Sequence, residues 1–382
     1  MYKLKQLPED FVVKEIISKE IEKNVSLDKN KNKEQNKDQN KSPNKNQNKY
    51  LYFKLYKKSW NTLTIIQKIA QALNINSKDF GFAGSKDKNA VTEQLCSVKC
   101  TGKLKSKNAK EILENIKFLG VKIEVIGYAN EPINLGNLEG NEFEIIIRNL
   151  EKNDDVISSK NYFVNYFDEQ RFSKNNVAIG RYLIKKKFKK ALELIDNHES
   201  NYYLEQEINK NDFVGALKKI PKKLLLMFVH AYQSYLWNEI VAKHLKLELG
   251  LENIKEIDYK IGEDNNGKLI VPLRKDSFES FAPIKIPLLG FLYGFEDYEE
   301  SIQGIVEDIM GDEDLEFSDF VIKQIPFLSA EGAVRNVVEK ITGLNINQLE
   351  NDELNEDKYK IKIAFSLNKG NYATMVVKQL LL

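Results

Sequence analysis

Strand-like sequence occupies both ends of this 382-residue chain and gives way to helical sequence in between. One domain must therefore be assembled from segments far apart in the chain, with a second domain inserted between them. The runs "FVVKEI" (11–16), "YLYFKLYKK" (50–58), "AVTEQLCSVKC" (90–100), "VKIEVIGY" (121–128) and "NEFEIIIRNL" (141–150) read as strands. Val121, Ile123 and Val125 alternate onto one face. "NTLTIIQKIAQAL" (61–73) reads as a helix, because Leu63, Ile66, Ala70 and Leu73 recur at spacings of three and four, with Asn61 or Thr62 as cap. "AKEILENIKFL" (109–119) reads as a second amphipathic helix. The C-terminal end adds "YKIKIAFSL" (359–367) and "YATMVVKQLL" (372–381), joined by a turn containing Gly370. From about 180 to 250 the pattern is helical, including "LLLMFVHAYQSYLWNEIVAKHLKLEL" (224–249), and Gly and Pro punctuate 262–294. The expectation is an α+β fold with domain segments 1–185 and 329–382 enclosing an insert, 186–328.

One segment can join neither core. Residues 29–49, "KNKNKEQNKDQNKSPNKNQNK", hold seven lysines, seven asparagines, three glutamines and no apolar residue. Nothing there offsets the entropy of ordering, so 26–49 is expected to be a disordered loop between two strands of one sheet.

Apolar residues make up 42% of the chain, an ordinary share for a soluble protein, and no run of eighteen apolar residues offers a membrane span. The N-terminus lacks an apolar signal core, which points to the cytoplasm. Cys96 and Cys100 do not make a disulfide framework. His198, His230 and His244 are scattered and form no HExxH pair, so no metal site is expected. The net charge of +2 is unevenly spread: "RYLIKKKFKK" (181–190) has six basic residues and no acidic one, and 296–317 has ten acidic residues and no basic one. Such segregation can build a positive surface for nucleic acid, or simply two solvated helix faces.

The chemistry points to "GFAGSKDKNAVTEQ" (81–94), which sets one carboxylate, Asp87, between Lys86 and Lys88. Cationic neighbours favour the ionised form of a carboxylate, which can serve as nucleophile or general base. Gly81 and Gly84 leave room for close approach of a ligand. The Gly-Lys-Ser/Thr ending of a phosphate-binding loop is missing. From this pattern alone, a surface turn whose charges pair in solvent is the plainer reading.

Five segments in order change that weighting. "FAGSKDKNAVTEQ" resembles the signature Ala-Gly-x-Lys-Asp-x-x-Ala-Val-Thr-x-Gln of the TruD family of tRNA pseudouridine synthases, matched by Ala83, Gly84, Lys86, Asp87, Ala90, Val91, Thr92 and Gln94. "PEDFVVKEI" (8–16), "LGNLEGNEFEIIIR" (135–148), "NYFDEQRFS" (165–173) and "FSLNKGNYATMVVKQL" (365–380) are similar to the family's other motifs, and 228–245 to its inserted domain. Asp168 and Ser173 stand where glycine is usual, and Tyr372 where phenylalanine is frequent.

The resemblance implies a pseudouridine-synthase-like catalytic domain with a mixed or antiparallel sheet, plus an inserted α+β domain. It implies tRNA as partner, uridine 13 as target and Asp87 as the essential residue, acting without cofactor, metal or required protein partner. It places Phe11, Asn165 and Tyr372 at the substrate. Aromatic faces there replace the stacking a flipped uridine loses, and Asn165 offers a donor and an acceptor. Phe167 completes an apolar wall, and Lys5, Lys86 and Arg171 are candidate phosphate contacts. His230, Gln233 and Trp237 are expected to pack within the insert. The competing readings are a synthase with broader RNA targets and an RNA-binding protein without catalysis. The intact Asp87 speaks against the second, since a pure binder gains nothing from a carboxylate facing phosphates. A zinc deaminase fails for want of His-x-Glu and Cys-x-x-Cys ligands.

Overall fold

The computed structural model describes residues 2–23, 25, 49–152, 161–195, 211–262, 265–294 and 298–382. The Lys/Asn-rich stretch expected to be disordered lies outside the described residues, apart from Lys49. The chain forms two compact units, Met1–Ser158 with Ile341–Asn371, and Ser159–Lys340 with Tyr372–Leu382.

In chain order the strands are β1 (Phe11–Ile16), β2 (Tyr50–Lys58), β3 (Phe80–Phe82), β4 (Val91–Lys99), β5 (Val121–Ala129) and β6 (Gly140–Leu150). Next come β7 (Tyr162–Val164), β8 (Ile254–Ile261), β9 (Asn265–Pro272), β10 (Lys285–Leu288), β11 (Ala333–Asn336) and β12 (Val338–Lys340). Last are β13 (Thr342–Ile346), β14 (Glu350–Asn351) and β15 (Tyr359–Asn368). The first unit is built on a nine-stranded mixed sheet in the order β13-β15-β6-β1-β4-β2-β5, with β14 on β15 and β3 on β4. The β1–β4 pair is parallel and β15 runs antiparallel along β6, so the two chain ends share one sheet, as the strand pattern implied.

The helix Thr62–Leu73 starts where the Asn61 side chain accepts from the backbone N–H of Leu63 at 2.9 Å. It buries Ile65, Ile66, Ile69, Ala70 and Leu73 in a core with Phe53, Leu55, Val98 and Ile123. Leu63, expected on that face, is 43% exposed, because the core-facing arc runs through 65–66, 69–70 and 73 instead. The helix expected over 109–119 stops at Glu114. Phe118 instead bridges to Val121, and the Glu114 carboxylate accepts from the Val125 N–H at 2.8 Å.

A buried ion cluster pins the chain ends of this unit together. Arg148 on β6 donates to Asp10 just before β1 (2.9 Å) and to Asp352 just after β14 (2.8 Å). Asp352 also accepts from the N–H groups of Asn149 and Leu354 and from Asn355.

The second unit packs three antiparallel pairs, β7–β12, β8–β9 and β10–β11, with helices around Lys222–Leu249. That 28-residue helix buries residues around its circumference, among them Leu225, Tyr232, Leu236, Trp237 and Ile240. The helix Asn176–Ile184 reaches it at Gly180, where any Cβ would strike the Phe228 carbonyl. The C-terminal helix Ala373–Leu380 is tied to β7 by the Gln379 amide, which accepts from the Val164 N–H (2.9 Å) and donates to its carbonyl (2.8 Å). Pairing of residues 162–164 with 338–340 carries both stretches into this unit. The two compact units divide at 158/159, 340/341 and 371/372.

The segregated charge runs answer one another. Arg181 pairs with Glu313, Lys185 with Asp314 and Lys186 with Asp319, each at 2.8 Å. The positive surface anticipated from 181–190 is reduced accordingly, with Lys187, Lys189 and Lys190 on its exposed side.

Candidate active site

Strand β4 pairs with β2 along its whole length, so β1 and β3 share its other edge, β1 beside residues 91–93 and β3 beside 96–98. The turn carrying Asp87 runs from β3 to β4 near this exchange of partners and belongs to no ladder. Buried side chains satisfy its backbone instead. Gln94 donates to the Gly84 carbonyl (3.1 Å), and the Thr62 hydroxyl accepts from the Lys86 N–H (3.0 Å) while donating to Gln94 (2.9 Å). The Lys57 ammonium donates to the carbonyls of Asp87 (2.8 Å) and Lys86 (3.3 Å). Lys57, Thr62 and Gln94 are essentially inaccessible. A buried backbone group left without a partner costs about 1–3 kcal/mol, so these side chains decide the turn's shape. This gives a physical reason for Gln94 in the signature.

The Asp87 carboxylate faces outward, 43% exposed, with the Lys5 ammonium 2.5 Å from its Oδ2. Lys5 lies 4.1 Å from the centroid of the Phe11 ring, a cation–π contact. Phe11 is itself buried and meets Phe143 edge-on. Lys5, a candidate phosphate contact, is ion-paired with Asp87, and Phe11, a candidate stacking face, packs beneath the Lys5 ammonium. Lys86, also expected on phosphate, turns inward to Glu15 (2.8 Å) and Asn141 (2.9 Å) with its side chain 9% exposed. Gly81 makes room for the Ile133 carbonyl, not for a ligand, whereas Gly84 faces open space.

In the second unit, Asn165 follows β7 and is buried. Its N–H donates to the Val337 carbonyl (2.8 Å), its amide to Asn336 (3.3 Å), and its side-chain oxygen accepts from Arg335. Arg335 also donates to the Asn165 carbonyl at 3.1 Å and lies 4.4 Å from the Phe167 ring centroid and 5.3 Å from that of Trp237. Burial lowers the Arg335 pKa to about 10, so it is charged at neutral pH. Phe167 meets Trp237 and Tyr372 edge-on, at 5.6 and 5.9 Å between centroids. Tyr372, partly exposed, lines a cavity of about 780 Å³ with Arg171, Asn176 and Phe228. Arg171 donates weakly to Ser234 (3.4 Å). Gln233 and Trp237 pack inside the unit as expected, Gln233 donating to the Leu289 carbonyl, whereas His230, expected to pack with them, is exposed. Asp168 is occupied structurally: it takes the Thr374 hydroxyl (2.7 Å) and Lys378 (2.9 Å), anchoring the C-terminal helix. Among the described residues no group of three or more His, Cys, Asp or Glu is placed to hold a metal, and no helix is long and apolar enough to cross a membrane.

Lys57 and Arg335 were absent from the sequence reading. Lys57 was legible in principle, since Leu51, Phe53, Leu55 and Lys57 share one face of β2, and a lysine ending an inward apolar row needs a partner. No periodicity distinguishes Arg335.

The class defined by this fold and site is an α+β protein presenting one ion-paired carboxylate from a turn that buried side chains hold. A family model described as "tRNA pseudouridine synthase D (TruD)" matches residues 2–202 and 197–380, and the chain belongs to that family, one of isomerases. It is 26% identical to the "Probable tRNA pseudouridine synthase D 1" of Methanococcus maripaludis, over 99% of this chain and 98% of that protein. It is 26% identical to the "tRNA pseudouridine synthase D" of Aquifex aeolicus, over 99% and 97%. A crystal structure described as a putative tRNA pseudouridine synthase D (TruD) from Methanosarcina mazei shares the fold, with a TM-score of 0.64 and 23% identity over 99% of this chain and 93% of that one.

Proposed function

We propose that this protein isomerises uridine to pseudouridine in tRNA, at position 13, with Asp87 as the essential residue, in the cytoplasm. The observation that carries the proposal is the outward carboxylate of Asp87, ion-paired with Lys5 on a turn whose backbone is tied down. The reaction breaks the C1′–N1 bond of uridine, turns the uracil, forms a C1′–C5 bond and transfers the C5 proton away while N1 gains one. Breaking the glycosidic bond leaves the sugar electron-poor. A carboxylate suits that step either by adding to the sugar carbon or by removing a sugar proton. Asn165, which the resemblance places at the uracil or ribose, is held in place by Arg335. Phe167 supplies an apolar wall, Tyr372 a stacking face and Arg171 a phosphate contact. Incubation with unmodified tRNA followed by base-resolution mapping tests the reading, which expects one new pseudouridine at position 13. An unmodified product would overturn it.

The stacking role has its own test. Tyr372→Phe keeps the ring face and is expected to leave single-turnover rates near wild type. Tyr372→Ala removes a stacking partner worth about 1–3 kcal/mol and is expected to slow turnover by roughly 10- to 100-fold in a folded variant. If the ring matters only to packing, the rate per folded molecule will not change, which thermal unfolding on the same preparations will reveal.

A further inference from the structure

Three buried side chains hold the Asp87 turn, and they divide the work unequally. Thr62 and Gln94 bind Lys86 N–H and the Gly84 carbonyl, upstream of the carboxylate. Lys57 alone among the three binds Asp87 itself, at its carbonyl, together with the carbonyl before it. We propose that Lys57 is a positioning residue for the reaction: its buried ammonium clamps the carbonyls of Lys86 and Asp87, fixing the line along which the Asp87 carboxylate leaves the turn and placing a positive charge behind it. The inference rests on the assignment of Asp87 above.

The geometry separates this role from ordinary packing. Lys57 is 1% exposed at the end of an apolar row, where an ammonium is costly to bury and an aliphatic side chain is not. Two of its three donors are spent on the turn, so the clamp reads two consecutive carbonyls and thereby the peptide plane between them. Its charge is also open to titration. Burial lowers the Lys57 pKa to about 8, opposed by the attraction of Asp87 and reinforced by the repulsion of Lys86. The groups facing it are Asp87 and Lys86 on the turn and Cys96 on β4, and Glu15 on β1 pairs with that same Lys86. Raising the pH through about 8 therefore removes the positive charge from behind Asp87.

The test is single-turnover kinetics on unmodified tRNA at saturating enzyme, with tRNA affinity and thermal unfolding measured on the same preparations, for wild type, Lys57→Met, Lys57→Arg and Asp87→Asn. Lys57→Met is expected to fold and to lose about 100-fold in rate, the scale of a misplacement near 1 Å, with Kd unchanged within about threefold. Lys57→Arg keeps charge and donors, and is expected to recover most of that loss and to hold its rate level above pH 8, where the wild-type rate falls. A Lys57→Met rate per folded molecule equal to wild type, or a loss confined to Kd, overturns the proposal. Should neither lysine variant fold, Lys57→Gln, which keeps an N–H donor without the charge, takes their place under the same two outcomes. An inactive Asp87→Asn beside a silent Lys57→Met defeats this inference alone, whereas an active Asp87→Asn defeats the assignment beneath it.

Discussion

Asp87→Asn is expected to lower pseudouridine formation by ~10⁴-fold or more while tRNA affinity stays near wild type. The magnitude is that of removing a group that attacks or takes a proton in the bond-breaking step. The substitution is close to isosteric, and its amide oxygen can still accept from Lys5, so the turn keeps its shape. Affinity is expected to hold or to tighten slightly, because RNA gains nothing from a carboxylate facing its phosphates. A neutral amide can neither add to C1′ nor remove a proton, whichever role Asp87 takes. Single-turnover rate, tRNA binding and thermal unfolding on one preparation make the test clean. A purified variant with wild-type turnover would end the assignment.

What was legible in the sequence follows from the range of each signal. Strand alternation and the capped helix at 61–73 are local patterns, and the structure contains both with boundaries close to those expected. The sharing of one sheet by both chain ends was legible because strands resume after a long helical stretch. Charge segregation was legible but misleading, since pairing of Arg181 with Glu313 and Lys185 with Asp314 is a long-range event. The same limit applies at the site. Asp87 stands out through its turn and its resemblance, and the sequence offers Lys86 and Lys88 next door as its partners. The structure supplies the partner from Lys5, 82 residues away, and sends Lys86 inward. Short-range pattern cannot choose among lysines in a chain with 58 basic residues. Arg335 escaped for a related reason, since its role is to hold Asn165, 170 residues earlier.

The largest effect on stability is expected at Arg148. Its side chain is 3% exposed, and those of its partners Asp10 and Asp352 are fully buried. Arg148→Met fills similar space but leaves two buried carboxylates without their cation. Breaking a buried pair from one side costs about 3–5 kcal/mol, and denaturant unfolding at pH 7 should show a loss on that scale. The cluster also has a pH signature. Burial raises the Asp352 pKa, but hydrogen bonds from Asn149, Asn355, Leu354 and Arg148 outweigh it and hold the value at about 2. With an unfolded value near 3.9, a folded value below it means stability that is present above about pH 4 and lost as pH falls towards 2. The difference in unfolding free energy between wild type and Asp352→Asn should therefore be level from pH 7 to about 4 and shrink below it. In the Arg148→Met background the shrinkage should start at the same pH, near the unfolded value, but be smaller and complete at a higher pH, because one of the groups depressing the folded carboxyl is gone. The consequence reaches the site. Arg148 exchanges backbone hydrogen bonds with Lys3, and Asp10 accepts from the Leu7 N–H, so the short segment that delivers Lys5 to Asp87 is anchored on both sides by this cluster. A variant that keeps its fold at 25 °C should therefore turn over more slowly than wild type per folded molecule. Equal rates would show that Lys5 finds Asp87 without the anchor.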